Sequence, residues 1–507
     1  MTFQPPRLGP GMIYIRSLDG LFRSHPDLVK VAEVEPQTLW TKGTAPDALP
    51  HGSPGELRHL QALPQSLLTH GVGCPVGGTI CDQQDQAPLF RAWTEAVNAA
   101  WTSEHLSIFH VHGARGAQPC GFLMPPLQTD AGVSLAAENI THRQATLGKP
   151  FAFETGVNYF ASKSFEMPDG EFFAAVAEAA DCGILLDLTN LWANHKNGRA
   201  KISDVVSHLP LERIWEVHLA GLQFAHGHWL DAHSNGIDDD LLEIAFDVVS
   251  DLPNLGAIIF EIAPDRLSTF DQKAVLQEIE KINRLWERAR TQPAATATKS
   301  QPFAQPLAPS PEEWERLIAN RMLPSEDQPP INGDRPHLRE SDERIFALYV
   351  ELAASFRRGA VAELMENTTK LLLLGIGEAK LRQLMDNYIA STPPAAFPSD
   401  EALRFRRFLE SNLPPVPGLD DLSKFEATLI ASAADSKPMQ VEVTNDIDVM
   451  LSEIAAGRLP PPSMDHPRTL LEISVDPVPS IRVLRSAPAV PSHSASHRPA
   501  HPPVSPR

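Results

Sequence analysis

Along its first 290 residues the chain repeats one pattern: a short apolar run, then a longer stretch whose apolar positions recur at i, i+3 and i+4. The runs are MIYI at 12–15, VAEVE at 31–35, SLLTHGV at 66–72, LSIFHV at 106–111, FAFET at 151–155, GILLDL at 183–188, WEVHLA at 215–220 and AIIFEI at 257–262. Between them, GEFFAAVAEAADC at 170–182 and DDDLLEIAFDVVSDL at 238–252 keep the 3.6-residue period of an amphipathic helix. Eight strand-then-helix units predict an α/β fold, a (β/α)8 TIM barrel over residues 1–290, with a doubly wound open sheet as the alternative.

The pattern then stops. Residues 291–311 are rich in Pro, Ala, Thr and Gln without periodic apolar positions, and read as an extended linker. Helical periodicity resumes in SDERIFALYVELAASFRRG at 341–359, which sets Ile345, Leu348, Tyr349, Leu352 and Phe356 on one face, with Ser341 as N-cap and acids in the first turn. Further helical stretches at 373–398, 404–415 and 419–430 predict a mainly α-helical second domain over 312–485. Residues 486–507 have too little apolar content to offset the entropy of ordering and are expected to be a disordered tail.

Composition narrows the function. A chain of 507 residues exceeds what one core ordinarily organises, which agrees with the two-domain reading. Its apolar runs fall far short of the ~20 residues that span a bilayer, and the N-terminus lacks the pattern of a signal peptide, so no membrane association and a cytoplasmic location are expected. The net charge of -20 disfavours a phosphate-binding surface and hence a nucleic-acid partner. Four cysteines without CxxC spacing suggest neither a disulfide framework nor a structural zinc site, and Cys74 and Cys120, with no identifiable base, read as inert thiols.

The chemistry lies where the runs end. His70, Glu154, Asp187, His218 and Glu261 each stand at or just after the close of an apolar run. In a barrel those ends converge on one mouth, so residues distant in sequence can meet around an ion. His105, Asp231 and His233 are placed to join from loops, and Asn190, three residues after Asp187, offers a neutral oxygen. Mixed imidazole and carboxylate favours iron, manganese or zinc over magnesium or calcium. Any one of these residues alone is more simply a rim group; the set is harder to read so, because several buried acids and imidazoles need a cation or hydrogen bonds to compensate them. The pairs His110/His112 and His226/His228 alternate like ligands on a strand and equally like solvated loop histidines, the reading favoured for His112 and His226.

Several strings together resemble a family, the multinuclear non-heme iron-dependent oxidative enzymes: AEVEP at 32–36, HGVG at 70–73, SEHLS at 103–107, LMPPL at 123–127, FET at 153–155, CGILLDLTNLWANHKNG at 182–198, VHLAG at 217–221, LDAHS at 230–234 and FE at 260–261. The resemblance covers roughly residues 8–268. It implies a TIM barrel that modifies ribosomally made peptides, with two or three iron ions of mixed valence and dioxygen as co-substrate. It also implies His70, His105, Glu154, Asp187, Asn190, His218, Asp231, His233 and Glu261 as iron-site positions, with Glu154, Asp231 and Glu261 catalytic. The chain departs from the family at Thr155 and Thr189, where Asn is usual, and at Leu222, where a second His is common; His226 or His228 is a candidate to replace that imidazole.

The second domain is similar to the partner proteins encoded beside such oxidases, which resemble peptide-recognition modules. Fusion in cis would raise its effective concentration at the barrel mouth to roughly millimolar for a flexible tether. The implied substrate is a cysteine-containing precursor peptide, whose soft thiolate suits iron. The rival readings are a divalent-metal isomerase or phosphoesterase on the same barrel, and an inactive metal-binding scaffold.

Overall fold

The computed structural model describes residues 3–45, 48–81, 86–268, 270–289, 308–329, 339–461, 468–475 and 480–486. Most of the expected linker 291–311 and the expected tail beyond Ser486 lie outside the described residues.

Eight parallel strands close into a barrel: β1 (Gly9–Ile13), β2 (Val31–Val34), β3 (Ser66–Gly71), β4 (Thr102–His105), β5 (Phe151–Glu154), β6 (Gly183–Asp187), β7 (Ile214–Leu219) and β8 (Ala257–Phe260). Each strand pairs with its successor in sequence, and β8 returns to β1 with Gly9 opposite Ala257 and Met12 opposite Phe260. The main helices after the strands are α1 (Asp19–Ser24), α2 (Pro54–Gln61), α3 (Gln86–Ala96), α4 (Asp130–Leu147), α5 (Asp169–Ala180), α6 (Leu188–Lys196), α7 (Asp239–Ser250) and α8 (Gln272–Arg288). The doubly wound alternative is thereby excluded.

The period-2 alternation of the strands decides what enters the barrel. Ala32, Val34, Phe151, Phe153, Ile184, Leu186, Ile258 and Phe260 face outward into the layer shared with the helices. Val31, Leu68, Ala152, Leu185, Ala257 and Ile259 face inward, where Trp101 and Trp215 join them and close the amino end. Trp215 sits at a bulge in the β6–β7 register and packs edge-on against Phe3 at 4.8 Å. A Cβ at Gly183 would come within 2.3 Å of the Trp215 ring, so this position accepts glycine alone without rearrangement.

The fourth strand departs from expectation. LSIFHV at 106–111 is not a barrel strand; Thr102–His105 takes that place, and Ile108–Gly113 pairs instead with Gly116–Met124 as an antiparallel hairpin. The polar string TSEH hides the true strand, which needs no apolar run because Ser103 and His105 point into the mouth. Two more hairpins, Trp40–Lys42 with Pro50–Gly52 and Leu222–Ala225 with His228–Asp231, follow β2 and β7. All three insertions thus fall in strand-to-helix loops, on the carboxyl face where barrel enzymes build their sites.

Two compact units form, and their boundary differs from the expected one after residue 311. One gathers the chain up to Ala360 with Met385–Glu401; the other gathers Val361–Leu384 with the described residues from Ala402 onward. Helices α9 (Pro311–Met322) and α10 (Glu340–Leu364) follow the barrel. Trp314, Ile318, Phe346 and Tyr349 on them share a separate apolar core with Ile108, Val111, Met124, Tyr159 and Phe160 from the loops after β4 and β5. Periodicity in 341–359 marks an apolar face but not what covers it, which is why the sequence assigns this helix to the second domain. The second unit contains helices Glu366–Ile376, Leu419–Asp435 and Ile447–Ala455 and, beyond the helical expectation, an antiparallel sheet of Met439–Val443, Thr469–Ser474 and Ser480–Ser486.

One buried cation fixes the loop after β5. The Arg199 guanidinium, with its side chain 2% exposed, lies 2.7 Å from Asp169 and donates to the Phe160 carbonyl at 2.7 Å. Removing it leaves Asp169 buried without its counter-charge. Arg199→Met is therefore expected to cost about 3–5 kcal/mol of stability, read as a lowered urea midpoint of the barrel unit.

Candidate metal centre

Five barrel strands carry an inward apolar residue two positions before a metal-capable one: Val31 before Glu33, Leu68 before His70, Ala152 before Glu154, Leu185 before Asp187, Ile259 before Glu261. Alternation therefore stacks a layer of acids and imidazoles directly on the apolar layer, at the carboxyl mouth. His105 enters the same layer from β4 and His218 from β7, with Ser103 and Glu216 inward one level below, opposite Ala152 and Leu185.

Three overlapping groups result, each with ligand atoms within 4.8 Å of one another: His70, His105 and Glu154; Glu154, Asp187 and His218; Glu33, His218 and Glu261. Glu154 and His218 belong to two groups each, so the clusters form a row. The row continues outward: His233 Nε2 lies 3.2 Å from Asp231 Oδ2 and 3.5 Å from Glu261 Oε2. Asn190 flanks it, donating from Nδ2 to Glu154 Oε1 at 3.3 Å and from its amide to Asp187 Oδ1 at 2.7 Å, as the first turn of α6 capped by Asp187 requires. All nine residues singled out by sequence meet here. His226 and His228 do not; they flank the turn of the hairpin after β7, and Leu222 is buried at its base.

The orientation of the imidazoles is set from behind. His70 Nδ1 is 2.8 Å from Ser103 Oγ, leaving Nε2 3.1 Å from Glu154 Oε2. His105 Nδ1 faces the Gly71 carbonyl at 3.1 Å and Glu104 Oε1 at 3.4 Å, leaving Nε2 3.2 Å from the same Glu154 oxygen. A proton donated from Nδ1 to the Gly71 carbonyl leaves Nε2 of His105 with a lone pair aimed into the mouth, the usual arrangement of a metal-binding histidine. Glu104 is itself held by the Cys74 amide at 3.0 Å, and a Cβ at Gly71 would strike it at 2.4 Å. The two threonines that depart from the family pattern are structural: Thr155 Oγ1 accepts from the Asp187 amide at 3.0 Å, and Thr189 Oγ1 accepts from the Ala220 amide at 2.7 Å.

Whether a cation fits is decided by the lone pairs. Glu33, Glu154 Oε2, Asp187 Oδ2, Asn190 Oδ1, both ring nitrogens of His218, Asp231 Oδ1 and Glu261 Oε2 are buried side-chain atoms without a hydrogen-bond partner. His218 Nε2 lies only 2.9 Å from Glu33 Oε2 and Nδ1 3.4 Å from Glu261 Oε2, but neither contact has the angle of a hydrogen bond. Atoms crowded with lone pairs facing a common space are what a divalent cation satisfies, and nitrogen with carboxylate oxygen is the donor set of iron, manganese or zinc.

The proton affinities say the same. Burial lowers the His105 imidazole, but the charges of Glu154 and Glu104 outweigh it and hold it up at about 10. His218 and His233 lie well above the ordinary value, burial being overcome by Glu261 and Glu33 for the first and by Asp231 and Glu261 for the second. Glu261, despite burial, is drawn down to about 2 by His218 and His233. Asp187 is pushed well up by burial and by the charges of Asp231, Glu154 and Glu261. Burial also lifts Glu35 to about 7 and, with the charge of Glu33, lifts Glu216, whose Oε2 accepts from Trp101 Nε1 at 2.8 Å. The mouth holds more acid than its histidines neutralise, so protons occupy places that a cation can take.

Sequence reasoning passed over Glu33. Its signal was the inward register of VAEVE, an acid on the face that alternation sends into the barrel. Elsewhere, His110 is buried on its hairpin and lowered by that burial to about 4, while burial raises the Cys120 and Cys182 thiols to about 12, which fits inert thiols. No helix among the described residues is long and apolar enough to cross a membrane.

A UPF0276 protein of Streptomyces avermitilis is 27% identical over 270 residues, covering 52% of this chain and 54% of that protein, so the chain spans about half the length of this relative. The UPF0276 protein Anae109_1558 of an Anaeromyxobacter species is 29% identical over 227 residues, 45% of this chain and 79% of that protein. Among solved structures, D-psicose 3-epimerase of Clostridium cellulolyticum with D-tagatose aligns over 55% of this chain and 98% of its own, at 9% identity and a TM-score of 0.37. The model of the RiPP precursor modification enzymes MbnB/TglH/ChrH matches residues 20–287, which is more than half of the chain and takes in β2 to β8, and the chain belongs to that family.

Proposed function

We propose that this chain is a non-heme, multinuclear iron- and dioxygen-dependent oxidase that modifies cysteine residues of a ribosomally made precursor peptide. The observation that carries the reading is the row of convergent groups with unpartnered lone pairs, His70/His105/Glu154 at one end and Asp231/His233/Glu261 at the other, which has room for more than one cation. Iron bound in that row supplies the redox chemistry that dioxygen requires. The chain's own residues do the rest. His70 and His105 offer Nε2, held in place by Ser103, Gly71 and Glu104. Glu154 and Glu261, each facing two imidazoles, would hold the iron together with them, and Asn190 and Asp231 would supply further oxygens. Glu35, with its carboxyl near neutrality, is placed to hold or release a proton beside the mouth. The region 312–485 is read as the part that recognises the peptide, on its resemblance to partner proteins of such oxidases.

Purification without added metal, followed by elemental analysis and Mössbauer spectroscopy, tests the reading. Two or three irons per chain with coupled spectra, and dioxygen uptake dependent on a cysteine-containing peptide, are expected. Zinc or magnesium alone, unaltered by anaerobic iron loading, sinks it.

Two further outcomes follow from the geometry. His218→Ala removes a member of two groups and is expected to cost at least one iron per chain and about 10–100-fold or more in turnover, measured by iron content and dioxygen uptake. Secondly, His105 stays protonated up to about 10, and His218 and His233 well above their ordinary value, in the metal-free protein. A cation must displace those protons, so ferrous affinity should rise steadily from pH 6 to 9 with net proton release. Calorimetry in buffers of different ionisation enthalpy measures the protons released; none released would contradict the assignment.

A further inference from the structure

His233 is the most exposed member of the row, its side chain 30% accessible against 16% for both Asp231 and His105 and none for His218. Its backbone is unusual as well: His233 has a φ of 44°, a left-handed conformation costly for a residue with a Cβ and held only where its surroundings impose it. Its carbonyl accepts from the Ala263 amide at 2.9 Å, and the main chain of Asp231, two residues earlier, is held from another loop. Tyr159, in the segment after β5, accepts from the Asp231 amide through its hydroxyl oxygen at 3.3 Å. Its own amide donates to the Tyr349 hydroxyl on α10 at 3.4 Å, and the two rings stand 5.4 Å apart, both buried. An ion pair of Lys163 with Asp342 at 2.8 Å, each side chain less than a tenth exposed, pins the same segment to the start of α10. At the other end of the row His70 and His105 are oriented by Ser103, Gly71 and Glu104 from barrel strands, and a post-barrel helix reaches them more remotely: Glu315 on α9 accepts from Thr79, in the loop whose Cys74 amide holds Glu104.

We propose that Tyr159 and Tyr349 are positioning residues that carry the placement of α10 to Asp231, so that the part of the metal centre formed by Asp231 and His233 depends on a helix that follows the barrel. This rests on the metal reading above. The two tyrosines act in series, α10 to Tyr159 to the Asp231 main chain, and touch neither the inner ligands nor the space between them. The barrel's outer cation position thus reports whether the post-barrel helices are seated.

The test uses the full chain and the variants Tyr159→Phe, Tyr349→Phe and the double variant, each stripped of metal and titrated anaerobically with ferrous ion. Each substitution deletes one oxygen and keeps the ring, so the melting temperature should stay close to the parent's. In Tyr159→Phe the last iron to bind should be weakened about 10–100-fold, as for other residues that orient ligands, and its Mössbauer component should diminish while the rest is unchanged. Tyr349→Phe should show a smaller loss in the same component, and the double variant should lose little beyond Tyr159→Phe, as expected of groups in series. Parent-like iron count, affinity and spectra in Tyr159→Phe would overturn the inference and leave the metal reading standing. Equal weakening of every component would overturn it too, since that marks general loosening. A parent chain that binds no ferrous ion would overturn the metal reading and, with it, this inference.

Discussion

Charge taken out of water must be compensated on the spot, and the mouth of this barrel concentrates that requirement in one layer. Glu33, Glu154, Asp187 and Glu261 sit there with His70 and His218, all nearly inaccessible. Hydrogen bonds from the protein satisfy some of their atoms and leave a contiguous set unmet. The layer beneath is apolar and the strands cannot slip by one residue without exchanging the two faces. The same register that places Val31, Leu68, Ala152 and Leu185 in the core therefore places Glu33, His70, Glu154 and Asp187 above them. Core packing and ligand placement are one constraint, met by one alternation.

Support for that layer comes from two directions. At its inner end the barrel strands hold the imidazoles through short local contacts: a serine one strand away, a carbonyl on the preceding strand, a carboxylate next in sequence. At its outer end the supporting groups come from insertions and from beyond the barrel, and the apolar core between Trp314, Phe346, Tyr349 and the loops after β4 and β5 supplies the rigidity. The carboxyl face thus combines a fixed part with a part that later segments of the chain complete.

Much of this was legible in the sequence, for a physical reason: strand ends and barrel geometry are both expressed in residue order. Alternation in FAFET, GILLDL and AIIFEI marks strand, face and terminal acid together. Where the inward face is itself polar the signal vanishes, and so the sequence places β4 one run too late and leaves Glu33 unmarked. Tertiary partnership is the other blind spot. The face of Ile345, Leu348 and Tyr349 is plain from periodicity, whereas its seat against Tyr159 and Phe160, from more than 180 residues earlier, is a long-range fact that no local pattern encodes. The sheet of the second unit escapes the sequence because its strands alternate buried with exposed or half-exposed positions and so present no continuous apolar run.

The tryptophan floor has a consequence of its own. Trp101 and Trp215, backed by Phe3, fill the amino end of the barrel, so that among the described residues the ligand row faces out at the carboxyl end. Whatever reaches the ligand row enters past the loops and hairpins of the carboxyl face, and whatever is released there leaves by the same route. An occupant seated across that opening corks the vessel, so small molecules consumed or produced beneath it must arrive before it settles or wait until it lifts.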